Sequence, residues 1–174
     1  SLGTATEAGL FEDLSISPDG KQFGAALVSG GSQAPNIWLV DFTRRVPTRF
    51  TFANAAERFP IWAPDGGRVA FVSTRSGRQD IYVKAANFTS EEQLVLESSG
   101  VTNATSWSQD GHFLLYAVSG DIFLLPMEGD HKPVPWLRTM FTENSARFSP
   151  DSKWVAYNSN ESGTQEVYVR PFTQ

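Results

Sequence analysis

Apolar and polar positions along the chain change over in short runs, and no stretch keeps a helical period. Four apolar runs stand out: FGAALV (23–28), VAFVS (69–73), FLLYAV (113–118) and WVAYNS (154–159). Each follows a turn-forming segment, respectively ISPDG (16–20), WAPDG (62–66), WSQDG (107–111) and FSPDS (148–152). Proline pre-sets φ at the second turn position, aspartate accepts backbone hydrogen bonds, and glycine supplies the positive φ that re-enters a strand. The pattern predicts four β-hairpins. Their leading apolar residues, Ile16, Trp62, Trp107 and Phe148, recur 46, 45 and 41 residues apart.

A second motif follows each hairpin: NIWLV (36–40), DIYVK (80–84), DIFLL (121–125) and EVYVR (166–170). It joins a branched aliphatic to an aromatic, and polar, glycine-bearing links such as TRSGRQ (74–79) and NESGTQ (160–165) precede it. Weaker extended stretches come after it, TRFTF (48–52) and QLVL (93–96) among them. The first three repeats therefore read strand, turn, strand, loop, strand, turn, strand. A four-stranded unit of about 40 to 50 residues in tandem is the pattern of β-propeller blades. One blade alone cannot bury both faces of its sheet, whereas blades stacked about an axis cover one another. Runs such as VAFV and FLLY, apolar on both sides, suit the middle of such a stack. The chain is expected to be all-β and a single unit over 1–174. Its blades fall near 10–55, 56–100, 101–140 and 141–174, the last without its outer strand. About four blades make a partial propeller.

Four aspartates, Asp19, Asp65, Asp110 and Asp151, recur in the turns. They are expected to tie their own turns rather than to grip a cation. Ser152 stands where the other repeats carry glycine, which costs about 1 kcal/mol if that position is left-handed. Gln109 stands where the others carry proline.

Composition narrows function mostly by exclusion. The net charge of −5, with scattered Lys and Arg, offers no basic face to a nucleic-acid backbone. Cysteine is absent, which excludes disulfides and cysteine zinc sites. No apolar run approaches the roughly 20 residues of a membrane helix, and no direct membrane contact is expected. The two histidines, His112 and His131, lie in turns, and nothing resembles a nucleophile elbow, a metal-binding histidine pair or a phosphate loop. Glu91–Glu92 and Glu128–Asp130 read as solvated turn carboxylates. We expect no catalytic residue, metal or cofactor. Propeller ligands commonly engage the face away from the PDG turns. There the candidates are Glu57, Arg58, Asn103, Asn144 and Ser145 near the inner strands, with Arg75, Arg78, Asn160 and Glu161 in the loops. Arg75 and Arg78 suit a carboxylate.

The aromatic-SPDG hairpin followed by the (D/N/E)-(I/V)-(W/Y) motif resembles the TolB-like propeller repeat, a bacterial relative of the WD repeat. The segments RFSPDSKWVAYNSNESGTQEVYVRPF (147–172) and SWSQDGHFLLYAVSGDIFLLPMEGDHKPVPWL (106–137) look like the C-terminal, extracytoplasmic propeller of acidobacterial membrane serine/threonine kinases. That resemblance implies a periplasmic or extracytoplasmic, non-catalytic module that binds a protein, peptide or small ligand for an attached signalling domain. Kinase motifs themselves are absent from this chain. The same repeats also occur in the gating propeller of prolyl-oligopeptidase-like peptidases and in TolB-type periplasmic scaffolds. Family propellers have six or more blades, so the chain is expected to be a fragment cut between outer and inner strands. Two four-blade arcs are expected to self-associate into one ring, with LGTAT (2–6) adding a strand to a last blade.

Overall fold

A computed structural model describes residues 10–28 and 34–173, and among these it contains fifteen β-strands and no helix. The expected strand contributed by LGTAT lies outside the described residues. The strands form four antiparallel sheets, each paired in sequence order from inner to outer strand. Blade 1 comprises β1 (Leu10–Ile16), β2 (Gln22–Val28), β3 (Asn36–Asp41) and β4 (Pro47–Arg49). Blade 2 comprises β5 (Glu57–Trp62), β6 (Arg68–Ser73), β7 (Asp80–Ala85) and β8 (Gln93–Leu96). Blade 3 comprises β9 (Thr102–Trp107), β10 (Phe113–Val118), β11 (Asp121–Pro126) and β12 (Val134–Leu137). Blade 4 has three strands, β13 (Glu143–Phe148), β14 (Trp154–Ser159) and β15 (Glu166–Pro171). The result is an all-β propeller architecture of four blades.

The cores lie between blades, which explains the strands that are apolar on both parities. In β6, Val69 and Phe71 pack with Ala26, Ile37, Leu39 and Phe50 of blade 1. Their neighbours Ala70 and Val72 turn the other way, into a cluster with Trp107, Leu114 and Tyr116 of blade 3. The hallmark aromatic reaches toward the preceding blade: Trp62 joins the cluster of blade 1, and Phe148 packs against the cluster that holds Leu115, Ile122 and Leu124.

Every inner strand contains a one-residue bulge that the sequence pattern does not announce. Phe59 and Pro60 together oppose Phe71, just as Glu12–Asp13 oppose Ala26 and Ser145–Ala146 oppose Tyr157; in blade 3, Thr105 is the extra residue. Phe59 and Ser145 adopt φ of 54° and 56° there. A proline inside a strand was the available signal, since proline is confined to edges and bulges. The preceding blade satisfies amides in and beside these bulges. Asp13 Oδ2 accepts the Phe59 N–H at 3.2 Å, and Ser106 Oγ accepts the Phe148 N–H at 3.2 Å.

The four turn aspartates act locally. Asp19 Oδ1 accepts the Ser17 hydroxyl at 2.7 Å and the Lys21 N–H at 3.0 Å, while Ser17 Oγ accepts the Gln22 N–H at 2.9 Å. Asp110 and Asp151 repeat this relay with Ser108 and Ser149. Asp65, whose turn carries Ala63 in place of the serine, accepts the Gly67 N–H at 2.7 Å and an Arg68 N–H at 3.3 Å. The serine hydroxyl and the turn amide hold Asp19 and Asp151 below the ordinary carboxylate range. At Asp110 burial opposes the shift, and the same two bonds outweigh it.

The two departures from the turn pattern prove to be partners. Gly66 and Gly111, at φ of 68° and 80°, lie against the prolines of the preceding blade, Pro18 and Pro64. Blade 3 carries Gln109 instead of proline, which frees a backbone N–H. Ser152 of blade 4, left-handed at φ 54°, accepts that N–H on Oγ at 2.7 Å.

Candidate ligand-binding face

The face opposite the PDG turns is built by the links that enter the inner strands and by the loops between the second and third strands. Backbone bonds lock the two together. The Thr74 N–H donates to Ala56 O at 3.0 Å, and the Glu143 N–H to Gly120 O at 2.7 Å. The first amides of β5, β9 and β13 are taken by the preceding blade: Glu57 N–H by Pro35 O at 2.8 Å, Thr102 N–H by Gln79 Oε1 at 2.7 Å and Glu143 N–H by Gly120 O, as above.

Most of the expected site residues turn out to hold this face together. Glu57 is fully buried. Its carboxylate accepts from Asn36 Nδ2 at 3.3 Å, from Ser73 Oγ at 3.3 Å and from the Arg75 guanidinium. Arg75 also pairs with Glu92, and its guanidinium carbon stacks 4.2 Å from the Tyr82 ring centroid. Lys84 completes the group, 3.4 Å from Glu92 and donating to Phe50 O at 2.8 Å. Arg75 is thus a clamp between the inner strand and the link before β8, and its charge is spent inside the chain. Glu92, expected as a solvated carboxylate, is half-buried between two cations, whereas Glu91 beside it is exposed. Neither Glu92 nor Lys84 carries a sequence signal, because they meet only when β7 and β8 pair.

The electrostatics follow from this packing. Burial pushes the Glu57 carboxyl up, and its bonds with Thr51 and Arg75 only partly counter that. For Arg75, burial works against the charged form, but Glu92 and Glu57 outweigh it and raise its pKa. Burial likewise pushes up Tyr82, beneath the guanidinium.

The remaining candidates divide similarly. Arg58 pairs with Glu12 across the first blade interface. Asn160 Oδ1 accepts the Thr142 N–H at 2.8 Å, and Asn144 Oδ1 accepts from Asn158 Nδ2 at 3.4 Å. Glu161 faces Arg170 at 4.0 Å. Asn103 is half-buried in β9, and Ser145 is the exposed bulge residue of β13. Glu143 occupies in blade 4 the place of Glu57. It is fully buried, yet the residue in the register of Arg75 is Glu161, and Glu143 Oε2 has no partner.

Among the candidates, Arg78 borders a cleft. A depression of about 410 Å³ lies between residues 74–79 of blade 2 and 99–101 at the entry to blade 3. Arg78 is half-exposed on its rim, held by Glu97 at 3.1 Å and Asp80 at 3.6 Å. Val101 is 65% exposed on the opposite wall. Gly100 lets the wall approach blade 3: a Cβ there would collide with Ser119 Oγ. The cleft offers an apolar wall and one half-exposed guanidinium, a surface suited to a short polar segment. Among the described residues no cluster of His, Cys, Asp or Glu could hold a metal ion.

Comparison with known proteins agrees with the architecture. The Tol-Pal system protein TolB of Desulfosudis oleivorans is 29% identical over 125 residues, covering 72% of this chain and 26% of that protein. TolB of Alcanivorax borkumensis is 40% identical over 63 residues, or 36% of this chain and 14% of its own length. The chain thus spans about a quarter or less of these relatives. Among solved structures, TolB from Acinetobacter baumannii superposes with a TM-score of 0.76 at 21% identity, over 94% of this chain and 41% of that one. A prolyl endopeptidase superposes at 0.66 with 16% identity, over 94% and 27%, a likeness of fold. The TolB β-propeller domain family matches residues 5–170, nearly the whole chain and all four hairpins, so the chain belongs to the TolB β-propeller family.

Proposed function

We propose that this chain is a non-catalytic binding module of an extracytoplasmic TolB-type scaffold, and that the cleft at Arg78 and Val101 receives a peptide or protein segment. One observation supports this reading above others. The cleft sets a guanidinium that stays half-exposed despite its pairs with Glu97 and Asp80 beside an exposed apolar wall. A role as partner-binding scaffold fits the Tol-Pal relatives named above. The narrower idea, a sensor attached to a membrane serine/threonine kinase, rests on the resemblance of residues 106–137 and 147–172. A gating propeller of a serine peptidase is the competing role, and a nucleophile-elbow domain in the parent protein would decide for it.

A thermal-shift screen of the 174-residue chain against acidic and apolar peptides, envelope fragments and sugars tests the reading. Binding to the folded state alone raises the melting temperature by mass action, by about 2.7 kcal/mol of stability at 100-fold excess over Kd. The expected result is a peptide hit lost in Arg78→Ala and Val101→Asp, both of which keep the unliganded melting temperature. Hits that survive both substitutions would refute the placement of the site. No hit in any class would count against the binding role.

A further inference from the structure

Because blade positions repeat, the surroundings of Glu143 can be compared with those of Glu57, which opens the inner strand of blade 2 as Glu143 opens that of blade 4. Both side chains are fully buried. Glu57 is answered by Asn36 of the preceding blade, by Ser73 opposite it in β6 and by the Arg75 guanidinium two residues further on. In blade 4 the corresponding residues are Asp121, Ser159 and Glu161. Ser159 keeps its part of the loop geometry: its Oγ accepts the Glu161 N–H at 3.2 Å, as Ser73 Oγ accepts the Arg75 N–H at 3.4 Å. An amide and a guanidinium are thus exchanged for two further carboxylates. Thr139 donates to Glu143 Oε1 at 2.5 Å, and Oε2 has no partner among the described residues.

The aromatic platform beneath Arg75 is repeated as well. Phe71 and Tyr82 stack at 6.0 Å and 19°, with the Arg75 guanidinium carbon 4.2 Å from the Tyr82 centroid. Tyr157 and Tyr168 hold the same registers in blade 4 and stack at 5.8 Å and 25°. Burial pushes the Tyr157 phenol up, and the charges of Glu161 and Glu143 add to that while Arg170 opposes it. Arg170 lies 4.0 Å from Glu161 and 5.7 Å from the Tyr157 centroid, and it makes no bond to Glu143 Oε2. Among the described residues no carboxylate group is arranged to hold a metal ion. A planar guanidinium, by contrast, spans two carboxylates through separate N–H groups and stacks on an aromatic face. We propose that blade 4 binds the guanidinium of an arginine side chain from a partner polypeptide, between Glu143 and Glu161 and over Tyr168, in the position that Arg75 fills for blade 2. Every group that answers Glu57 has its counterpart within residues 121–161, so the assignment does not depend on segments before or after the described ones. Blade 2, with its outer strand paired, leaves the Arg75 side chain 26% exposed, so this position opens to solvent in a four-stranded blade. Glu161, a loop side chain 29% exposed, turns outward to admit the ligand and then pairs with it. The site lies at the seam of blades 3 and 4 and stands independently of the cleft at Arg78.

Amide chemical shifts of the isotope-labelled 174-residue chain, titrated with an alanine–arginine–alanine peptide capped at both ends, test this. Saturable shifts are expected at Glu143, Glu161 and Tyr168. The same peptide with citrulline, the neutral isostere of arginine, is expected to bind at least about tenfold more weakly, as is the lysine peptide, whose ammonium lacks the planar fork. Glu161→Arg supplies the guanidinium from within the chain and is expected to abolish the response at Glu143 and Tyr168; Arg75 shows that an arginine fits this register. Glu143→Gln keeps the shape, removes the charge and is expected to weaken binding at least about tenfold, and Glu161→Gln takes its place if that variant fails to fold. Free arginine binding more tightly than the capped peptide would overturn the polypeptide source. Equal affinity for the citrulline peptide, binding undiminished by Glu161→Arg, or no saturable shift at these residues would each overturn the site.

Discussion

The pairing of Gln109 with Ser152 makes a quantitative claim about two turns that lie 43 positions apart. Ser152 holds φ at 54°, where a residue with a Cβ loses about 1 kcal/mol relative to glycine. Its Oγ accepts the Gln109 N–H at 2.7 Å at an exposed site, a bond contributing roughly 0.5 to 1 kcal/mol net. The two effects offset, so Ser152→Gly in the wild type is expected to change stability by less than about 0.5 kcal/mol. Gln109→Pro removes the donor, and the proline has precedent at the same turn position in Pro18, Pro64 and Pro150. In that background Ser152→Gly has no bond to lose and should stabilise by about 1 kcal/mol. Urea denaturation of the four proteins at one fixed concentration gives the coupling directly, as the difference between the two Ser152→Gly effects. Equal effects in both backgrounds, to within about 0.3 kcal/mol, would show that Ser152 and Gln109 are independent lapses from the pattern.

Four further outcomes follow from the packing. Trp62→Ala, which empties the seam between blades 1 and 2, should cost about 3 to 5 kcal/mol in urea denaturation. Ile16→Ala at the equivalent position should cost under about 1 kcal/mol in the monomer, because its side chain is 55% exposed. A raised folded pKa means stability declines as pH climbs from the ordinary glutamate range through the shifted value, so the stability of wild type minus Glu57→Gln should fall across that window. A difference that rises instead would mean the Arg75 pair outweighs burial. Tyr116, 3% exposed, is pushed up to about 12 by burial, so its contribution is complete below pH 10 and is lost between 10 and 12. Tyr116→Phe should therefore retain about 2 kcal/mol more than the wild type retains of its own neutral-pH stability at pH 12, measured by alkaline denaturation.

What the sequence determined by itself is the repeating local structure. Turn chemistry at PDG, the apolar runs after it and the aliphatic–aromatic pair of the third strand depend on neighbours within a few residues, so the hairpins, the strand order and the blade architecture are legible there. The role of the turn aspartates is legible for the same reason: their partners lie two residues away. Tertiary structure decided which members of equivalent sets are covered and which charges remain available. Ile16 and Trp62 share a register, but only Trp62 has a blade in front of it; Val167 and Ile37 share another, but only Ile37 has one behind it. Arg75 and Arg78 sit in one loop and read alike. Pairing of β7 with β8 carries Glu92 to Arg75 and encloses that charge, while Arg78 is left on the rim of the cleft. Burial and charge pairing are set by groups that meet only when sheets form and stack, and a local pattern carries no record of them.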